Sequence, residues 1–163
     1  MSQKYGPNLS QEAMDKVLQE EDTGYLGLAD EGKPYVVPVS FAYLDHRIVI
    51  HGATTGRKLD IIRRNPRACF TVSRHIDRTR PHQAEGGCTY RFESVICQGT
   101  AEVVDDPVIR LEWLRRFKDY FYRKLRLDPA ADPVTEKAAQ HCSCIVLRIE
   151  TMTGRAKREA VAD

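Results

Sequence analysis

The sequence predicts a mainly β fold with flanking helices, in the α+β class: a closed or nearly closed antiparallel barrel of about six strands. Three observations predict it. From Gly24 onward, large apolar and smaller side chains alternate with the period of two that a strand requires. Turn-forming residues separate successive runs at the short spacing of hairpins. Helical periodicity is confined to a few segments, so the strands must close on themselves to bury their apolar faces.

Length and charge limit what the protein can do. The 163 residues are enough for one domain, 1–163, with its own hydrophobic core, and no linker or repeat divides them. A formal net charge of +2 is too small to indicate nucleic-acid binding. No apolar run approaches the roughly 20 residues of a membrane-spanning helix, and the N-terminus lacks the apolar stretch of a secretory signal. We therefore expect a cytoplasmic protein with no membrane partner.

The first elements are a helix and a hairpin. Ser10 is a favourable N-cap for a helix over about 10–21, whose apolar residues share one face. Residues 24–29 then alternate as a strand. Residues 30–33, Asp-Glu-Gly-Lys, supply the turn chemistry that leads into the next strand.

The next predicted strand, 34–43, has two different faces. Its odd positions carry large apolar side chains, which predicts a core face. Its even positions are smaller and leave room for something flat to approach the backbone. Pro38 lies at an even position and has no N–H to donate. The strand must therefore be an edge strand, be bulged at Pro38, or be open to a ligand there.

The remaining elements alternate strands with two helices. Strands are predicted over 47–53, 68–73, 90–104 (with a bend near Gly99) and 142–150. Helices are predicted over 56–64, ended by Asn65-Pro66, and from Pro107 onward. The other segments are predicted to be a polar loop (74–88), a second loop (127–133) and a flexible basic tail (151–163).

The most informative segment is the strand-to-helix junction at residues 50–59, IHGATTGRKL. Thr55 is the predicted N-cap, which places Arg57 and Lys58 in the first turn. Two cations there oppose the helix macrodipole unless an anion lies among them. Free backbone N–H groups, threonine hydroxyls and two cations can together hold a phosphate. The alternative is a solvated basic face that continues into the arginines that follow.

The cysteines are a weaker indication of function than the strand-to-helix junction. The five cysteines, at 69, 88, 97, 142 and 144, have no regular framework spacing, which indicates reduced thiols, several of them buried. The run His141-Cys142-Ser143-Cys144 suggests a metal. On a strand, however, Cys142 and Cys144 share a face, and no second ligand pair exists. Buried thiols are therefore the favoured interpretation.

Two further segments carry polar residues with a weak functional signal. His75, Asp77 and His82 lie in the predicted polar loop, where a mobile surface loop is favoured over metal or haem ligation. The basic residues of the tail are too few to predict nucleic-acid binding. We expect no metal site.

Five runs carry a family resemblance: GYLGLA (24–29), GKPYVVPVSFAY (32–43), IVIHGATTGRKLDIIRRNPRACFTV (48–72), YRFESVICQGTAEVV (90–104) and IETMTGR (149–155). Together they resemble the FMN-binding split-barrel family. This is the pyridoxamine-5′-phosphate-oxidase-like group, and the resemblance is specifically to its nitroimidazole-resistance-like branch. The likeness covers about residues 22–155. Its most specific part is the HGA…GRKL core.

The resemblance implies a homodimer with two equivalent FMN sites at the subunit interface. The implied cofactor-binding residues are Pro38, Val39, Ser40, His51, Gly52, Thr54, Thr55, Arg57, Lys58 and Ser94. Residues 38–40 would lie along the isoalloxazine, and Thr54, Thr55, Arg57 and Lys58 would hold the phosphate. His51 and Gly52 would lie near the ring or the ribityl chain, with Ser94 reaching the flavin from the other side.

The implied activity is that of an FMN-dependent oxidoreductase. It would pass electrons from a nicotinamide or similar donor to a small, flat, electron-poor acceptor such as a nitroaromatic compound. His51 is the candidate catalytic residue, because its ordinary pKa near 6.5 suits proton donation; the alternative is a structural hydrogen-bonding histidine.

Several alternatives stay open. The residues with which pyridoxamine-phosphate oxidases clamp pyridoxal phosphate are not found at matching positions, so a vitamin B6 substrate is not expected. A flavin or haem carrier or sensor without turnover is the second hypothesis. An interaction domain with an empty barrel is the third.

Overall fold

The computed structural model describes residues 8–77 and 91–157. They form one seven-stranded antiparallel sheet with four α-helices and a short 3-10 turn. In chain order the elements are α1 (Gln11–Glu20), β1 (Thr23–Asp30), β2 (Lys33–Ser40), β3 (Ala42–Leu44), β4 (Arg47–Gly52), α2 (Arg57–Arg64), β5 (Arg67–Asp77), β6 (Arg91–Val103), α3 (Pro107–Lys124), the 3-10 turn (Pro129–Ala131), α4 (Glu136–Gln140) and β7 (Ser143–Lys157). The predicted mainly β, α+β class is confirmed.

The sheet closes through a single residue. Its strand order is β2-β1-β5-β6-β7-β4-β3, so β2 and β3 lie at opposite edges although only Phe41 separates them in the chain. The Phe41 N–H donates to the Asp22 carbonyl at 3.2 Å, and its fully buried ring packs edge-on against Phe70 at 4.8 Å between centroids. The single strand predicted over 34–43 is therefore two strands, because the chain crosses from one edge to the other at Phe41.

β2 has the two faces that its sequence predicts. Tyr35, Val37 and Val39 pack against the barrel core, whereas Pro38 and the other even positions are exposed. Its only paired neighbour among the described strands is β1, with Pro38 opposite Tyr25. Pro38 thus lies on an edge strand, where its missing N–H is tolerated.

Two hydrophobic clusters lie on opposite sides of β4. Ile48 and Ile50 point into the barrel core, which α1 and α2 cover with residues such as Leu18. Val49 points the other way, into a second cluster that includes Phe117 of α3. Because side chains alternate along a strand, His51 shares the side of Val49 and faces α3.

Several boundaries differ from the sequence-based expectation. β7 extends to Lys157 because residues 151–157 pair with β6, so this part of the predicted flexible tail is a strand; residues 158–163 lie outside the described part. β5 extends to Asp77 for the same reason, so His75 and Asp77 belong to a strand and not to a loop. His82 and Cys88 lie outside the described residues.

The segment before β7 also differs from the prediction. It holds the 3-10 turn and α4, which Thr135 caps through its side chain at the Ala138 N–H. Cys142 lies just before β7 and not within it, yet Cys142 and Cys144 both pack against the second cluster. The four cysteines in the described part of the chain are free thiols, as predicted.

The bend predicted near Gly99 is a change of register in β6 against β7, between Gln98 and Gly99. A side chain at Gly99 would place its Cβ 2.0 Å from the Arg148 carbonyl oxygen, so only glycine fits this approach. Within the described ranges, no helix is long and apolar enough to cross a membrane.

Candidate functional site

The end of β4 and the start of α2 form an exposed corner. The N-cap of α2 is Gly56, at φ +134°, and no side chain caps the helix. The prediction of Thr55 as the N-cap is therefore wrong. Glycine adopts this backbone conformation without strain, which allows a sharp turn into the helix. The Leu59 N–H donates to the Gly56 carbonyl at 3.0 Å, so the N–H groups of Arg57 and Lys58 are the ones in the first turn that stay available to an anion.

Arg57 and Lys58 lie in this first turn, as predicted, but they point in different directions. The Arg57 guanidinium lies 4.9 Å from the centre of the Tyr35 ring, and its Nη2 lies 3.9 Å from an Asp30 carboxylate oxygen. Asp30 is held more closely by Arg64, at 2.7 Å, and this hydrogen bond lowers the pKa of Asp30. Arg57 thus lies on the β1–β2 side of the corner, with part of its charge already balanced.

Lys58 lies on the other side, against the end of β4. A Cβ built on Gly52 would lie 3.3 Å from the Lys58 Nζ and 3.9 Å from the Ser143 Oγ. Gly52 and Ser143 are paired between β4 and β7. Without a side chain at residue 52, an ammonium group and a hydroxyl group flank a small hollow that a single Cβ would already crowd.

Ser143 is a site residue that sequence reasoning missed. It is 6% exposed, and its Oγ has no hydrogen-bond partner among the described residues. A buried polar group without a partner costs about 1–3 kcal/mol. In the sequence Ser143 is one small residue between two cysteines. Only the pairing of β7 with β4 places it opposite Gly52, so no local signal could have found it.

These groups fit a phosphate. Uncapped helix N–H groups, the Lys58 ammonium and the Ser143 hydroxyl can all donate hydrogen bonds, and Arg57 adds a second positive charge at the rim. Anions are favoured at a helix N-terminus, and charge-assisted hydrogen bonds are stronger than neutral ones. Thr54 and Thr55 lie in the exposed link before the helix.

His51 lies one residue before this hollow and faces the second cluster. Its ring meets Phe117 edge-on at 4.6 Å between centroids, and its Nδ1 lies 3.7 Å from the Cys142 Sγ. Partial burial, and secondarily the charge of Lys58, lower the pKa of His51 below its ordinary value of 6.5. The imidazole is therefore neutral near pH 7 and can accept a proton or donate its own N–H.

The other predicted site residues lie on the outer face of the sheet. Pro38 and Ser40 are exposed there, whereas the Val39 side chain packs inward and leaves only its backbone for a ligand. Ser94 pairs with Ser73 on β5. It is three strands from β2, roughly 14 Å at the usual strand spacing. Within one chain, Ser94 is therefore not beside residues 38–40, and on β7 it is opposite Arg155, twelve residues along the strand from Ser143 at the corner.

One comparison decides the family. The family model for pyridoxamine 5'-phosphate oxidase matches residues 10–156, nearly the whole chain. The chain belongs to this family. Among curated proteins, none matches this chain significantly.

Solved structures share the fold of this oxidase-family chain. An FAD-binding protein from Mesorhizobium loti is 25% identical, over 93% of this chain and 98% of that one, with a TM-score of 0.68. The flavocytochrome Anf3 from Azotobacter vinelandii is 25% identical over 94% of this chain and 70% of that one, with a TM-score of 0.75. A candidate 5-nitroimidazole antibiotic resistance protein from Bacteroides thetaiotaomicron is 22% identical over 93% and 90%, with a TM-score of 0.74.

The described side chains do not form a cluster suited to a metal ion. Across residues 8–77 and 91–157, no three His, Cys, Asp or Glu side chains come close enough together to hold a metal ion. His141 ends α4 as its C-cap, whereas the Cys142 thiol contacts His51.

We predict that the pKa of His51 lies below 6.5 and rises in Lys58→Gln, since that change removes a neighbouring positive charge. The measurement is an NMR titration of the His51 ring proton, assigned with His51→Gln. Arg63→Gln, in the last turn of the same helix, is the control and should leave the pKa unchanged.

The same shift has a consequence for stability. Below pH 6.5 the unfolded chain protonates at His51 before the folded chain does, so folding stability falls as the pH is lowered through this range. The loss should be smaller in His51→Gln. The packing described for the ring would be contradicted by an unshifted pKa of His51. It would also be contradicted if the urea midpoints of the wild type and of His51→Gln depended on pH in the same way.

Proposed function

We propose that the protein binds FMN, with the phosphate at the corner between β4 and α2. The observation that carries this proposal is the hollow above Gly52, between the Lys58 ammonium and the unpartnered Ser143 hydroxyl, next to an uncapped helix N-terminus. Family membership and the flavin-binding proteins among the structural neighbours support it. Those neighbours are described as an FAD-binding protein and a flavocytochrome. A test of the proposal must therefore distinguish FMN from FAD in the flavin that the protein releases.

We further propose that the protein is a flavin-dependent oxidoreductase. A bound flavin supplies reversible two-electron and one-electron transfer. Lys58 and Ser143 would hold its phosphate, and the exposed backbone at residues 38–40 would support its ring. His51 is neutral near pH 7, and its Nδ1 is directed at a thiol. Its Nε2 would therefore exchange a proton with the substrate. Small nitroaromatic compounds are the proposed acceptors, by analogy with the resistance-protein neighbour.

A second copy of the chain would complete the site. The outer sheet face exposes three large apolar side chains: Tyr25 (47%) on β1, Val36 (63%) on β2 and Ile96 (42%) on β6. An exposed apolar area of this kind is typical of a protein contact. We propose a homodimer in which this face is covered and the flavin lies at its margin. Ser94, on the same face, would then reach the flavin of the adjoining subunit.

The proposed cofactor site predicts that Lys58→Gln weakens FMN binding by about ten- to a hundredfold, since a charge-assisted hydrogen bond contributes about 1.5–3 kcal/mol. Ser143→Ala should weaken binding by a smaller factor without lowering the stability of the flavin-free protein, because its hydroxyl has no partner to lose. Quenching of flavin fluorescence gives the affinities. Arg63→Gln is the matched control, since Arg63 pairs with Asp105 at 3.0 Å, away from the corner. Unchanged affinity in Lys58→Gln would refute the phosphate site.

The proposed activity predicts flavin bands in the spectrum of the purified protein and oxidation of NAD(P)H when a nitroimidazole is added. His51→Gln should then lower kcat by about a hundredfold, the usual scale of general acid catalysis, with the flavin still bound. A flavin spectrum without turnover would indicate a carrier. An intense Soret band would indicate haem, which one structural neighbour, the FAD and heme binding protein from Mycobacterium smegmatis, is described as binding.

The proposed dimer predicts that Val36→Glu yields monomers with lowered flavin affinity, because a buried carboxylate without a partner is strongly disfavoured. Sedimentation velocity measures the change. Val108→Glu is the control: Val108 is 74% exposed on α3, away from the sheet face, and its substitution should leave the dimer intact. Monomeric wild-type protein would rule out the shared site.

A further inference from the structure

A cavity of about 410 Å³ lies between α3, α4 and the end of β4. Five of its lining residues are apolar and three are polar or reactive. They are Leu114, Phe117, Phe121, Val134 and Ala138, together with His51, Lys118 and Cys142. A volume of this size is within the range of small-molecule sites. The phosphate corner lies on the other side of Gly52, so the cavity is a separate space that borders the same strand.

The lining favours a flat, uncharged molecule. Phe117 and Phe121 lie 4.9 Å apart between centroids, tilted by 42°, and offer aromatic surface to a ring. Lys118 does not make the cavity cationic, because its ammonium is held by Asp132 at 2.5 Å and lies 5.0 Å from the centre of the Tyr122 ring. The polar contacts left for a ligand are therefore those of His51 and Cys142.

Cys142 differs from the other described thiols in its surroundings. Cys97 and Cys144 are buried, which raises the pKa of each to about 12, and burial also raises the pKa of Cys69. Cys142 is only partly buried, opens onto the cavity and lies 3.7 Å from the Nδ1 of a neutral imidazole. A thiol beside a base, at the wall of an apolar cavity, is arranged as a nucleophile.

We propose that this cavity is a covalent capture site for small, planar, apolar molecules that carry an α,β-unsaturated carbonyl group. His51 takes the proton of the Cys142 thiol as the sulfur bonds to the β-carbon. The π pair of the double bond moves to the carbonyl oxygen as an enolate, and the imidazolium returns the proton to the α-carbon. The product is a thioether, and no oxidant or reductant is consumed. The site does not depend on flavin binding.

The test uses the full chain and two reagents: N-phenylmaleimide, an apolar acceptor of this class built from two flat rings, and iodoacetamide, which is smaller and has no ring. Peptide mapping by mass spectrometry gives the rate at each cysteine. We expect the preference for N-phenylmaleimide over iodoacetamide to be at least about tenfold greater at Cys142 than at Cys69, because the ring is held in the cavity. Cinnamaldehyde should form its adduct at Cys142 first.

Two variants separate the cavity from simple exposure of the thiol. Ala138→Leu, on α4, narrows the cavity and leaves the thiol and the imidazole themselves unchanged, and leucine is tolerated in a helix. It should lower the rate at which Cys142 reacts with N-phenylmaleimide by about tenfold, and the rate with iodoacetamide much less. Lys137→Leu, one residue away and not in the lining, is the matched control and should change neither rate. His51→Gln should slow both reagents by at least about tenfold.

The outcomes decide the proposal. Equal reagent preference at Cys142 and Cys69 would show that Cys142 is merely accessible, and it would overturn the proposal. The proposal would also be overturned if Ala138→Leu had no effect on the rates while its circular dichroism and melting temperature matched those of the wild type. The comparison between Cys142 and Cys69 requires no bound flavin, so the proposal fails or stands independently of the cofactor site.

Discussion

The antiparallel register of β4 against β7 is the constraint on which the candidate sites depend. It pairs Gly52 with Ser143 and His51 with Cys144. Because side chains alternate along a strand, a slip of one residue would turn the buried Ile48 and Ile50 out of the barrel core. The apolar packing on both sides of β4 therefore fixes the register. The residues at its end are thus positioned largely by the apolar packing of the strand that carries them.

Lys58 connects the two sides of this strand end electrostatically. On one side its ammonium borders the hollow at Gly52, and on the other its charge disfavours protonation of His51. An anion at the corner would offset that charge and ease protonation of the imidazole. Arg57 contributes less to this link, because Asp30 already balances part of its charge and its guanidinium lies over Tyr35. The two adjacent cations thus have different surroundings and different roles.

Membership in the pyridoxamine 5'-phosphate oxidase family and the geometry of the chain contribute different things. The family and the solved relatives establish the fold and make a flavin the expected cofactor class. The contacts of Lys58, Ser143 and His51 identify the atoms of this chain that would meet such a cofactor or its substrate. The cavity beside Cys142 follows from the packing of α3 and α4 on this chain, independently of the family assignment.

The sequence by itself determined the elements whose cause is local. The alternation along β2, the helix end before Pro66, Pro107 in the first turn of α3 and two cations in the first turn of α2 all follow from neighbours in the chain. Local patterns could not place Phe41 at the closure of the sheet or extend β7 to Lys157, because each depends on a strand distant in sequence. The same holds for the position of Ser143 opposite Gly52 and for the contact of Cys142 with His51. Tertiary pairing decides such contacts, since it is the burial of whole faces that brings distant residues together.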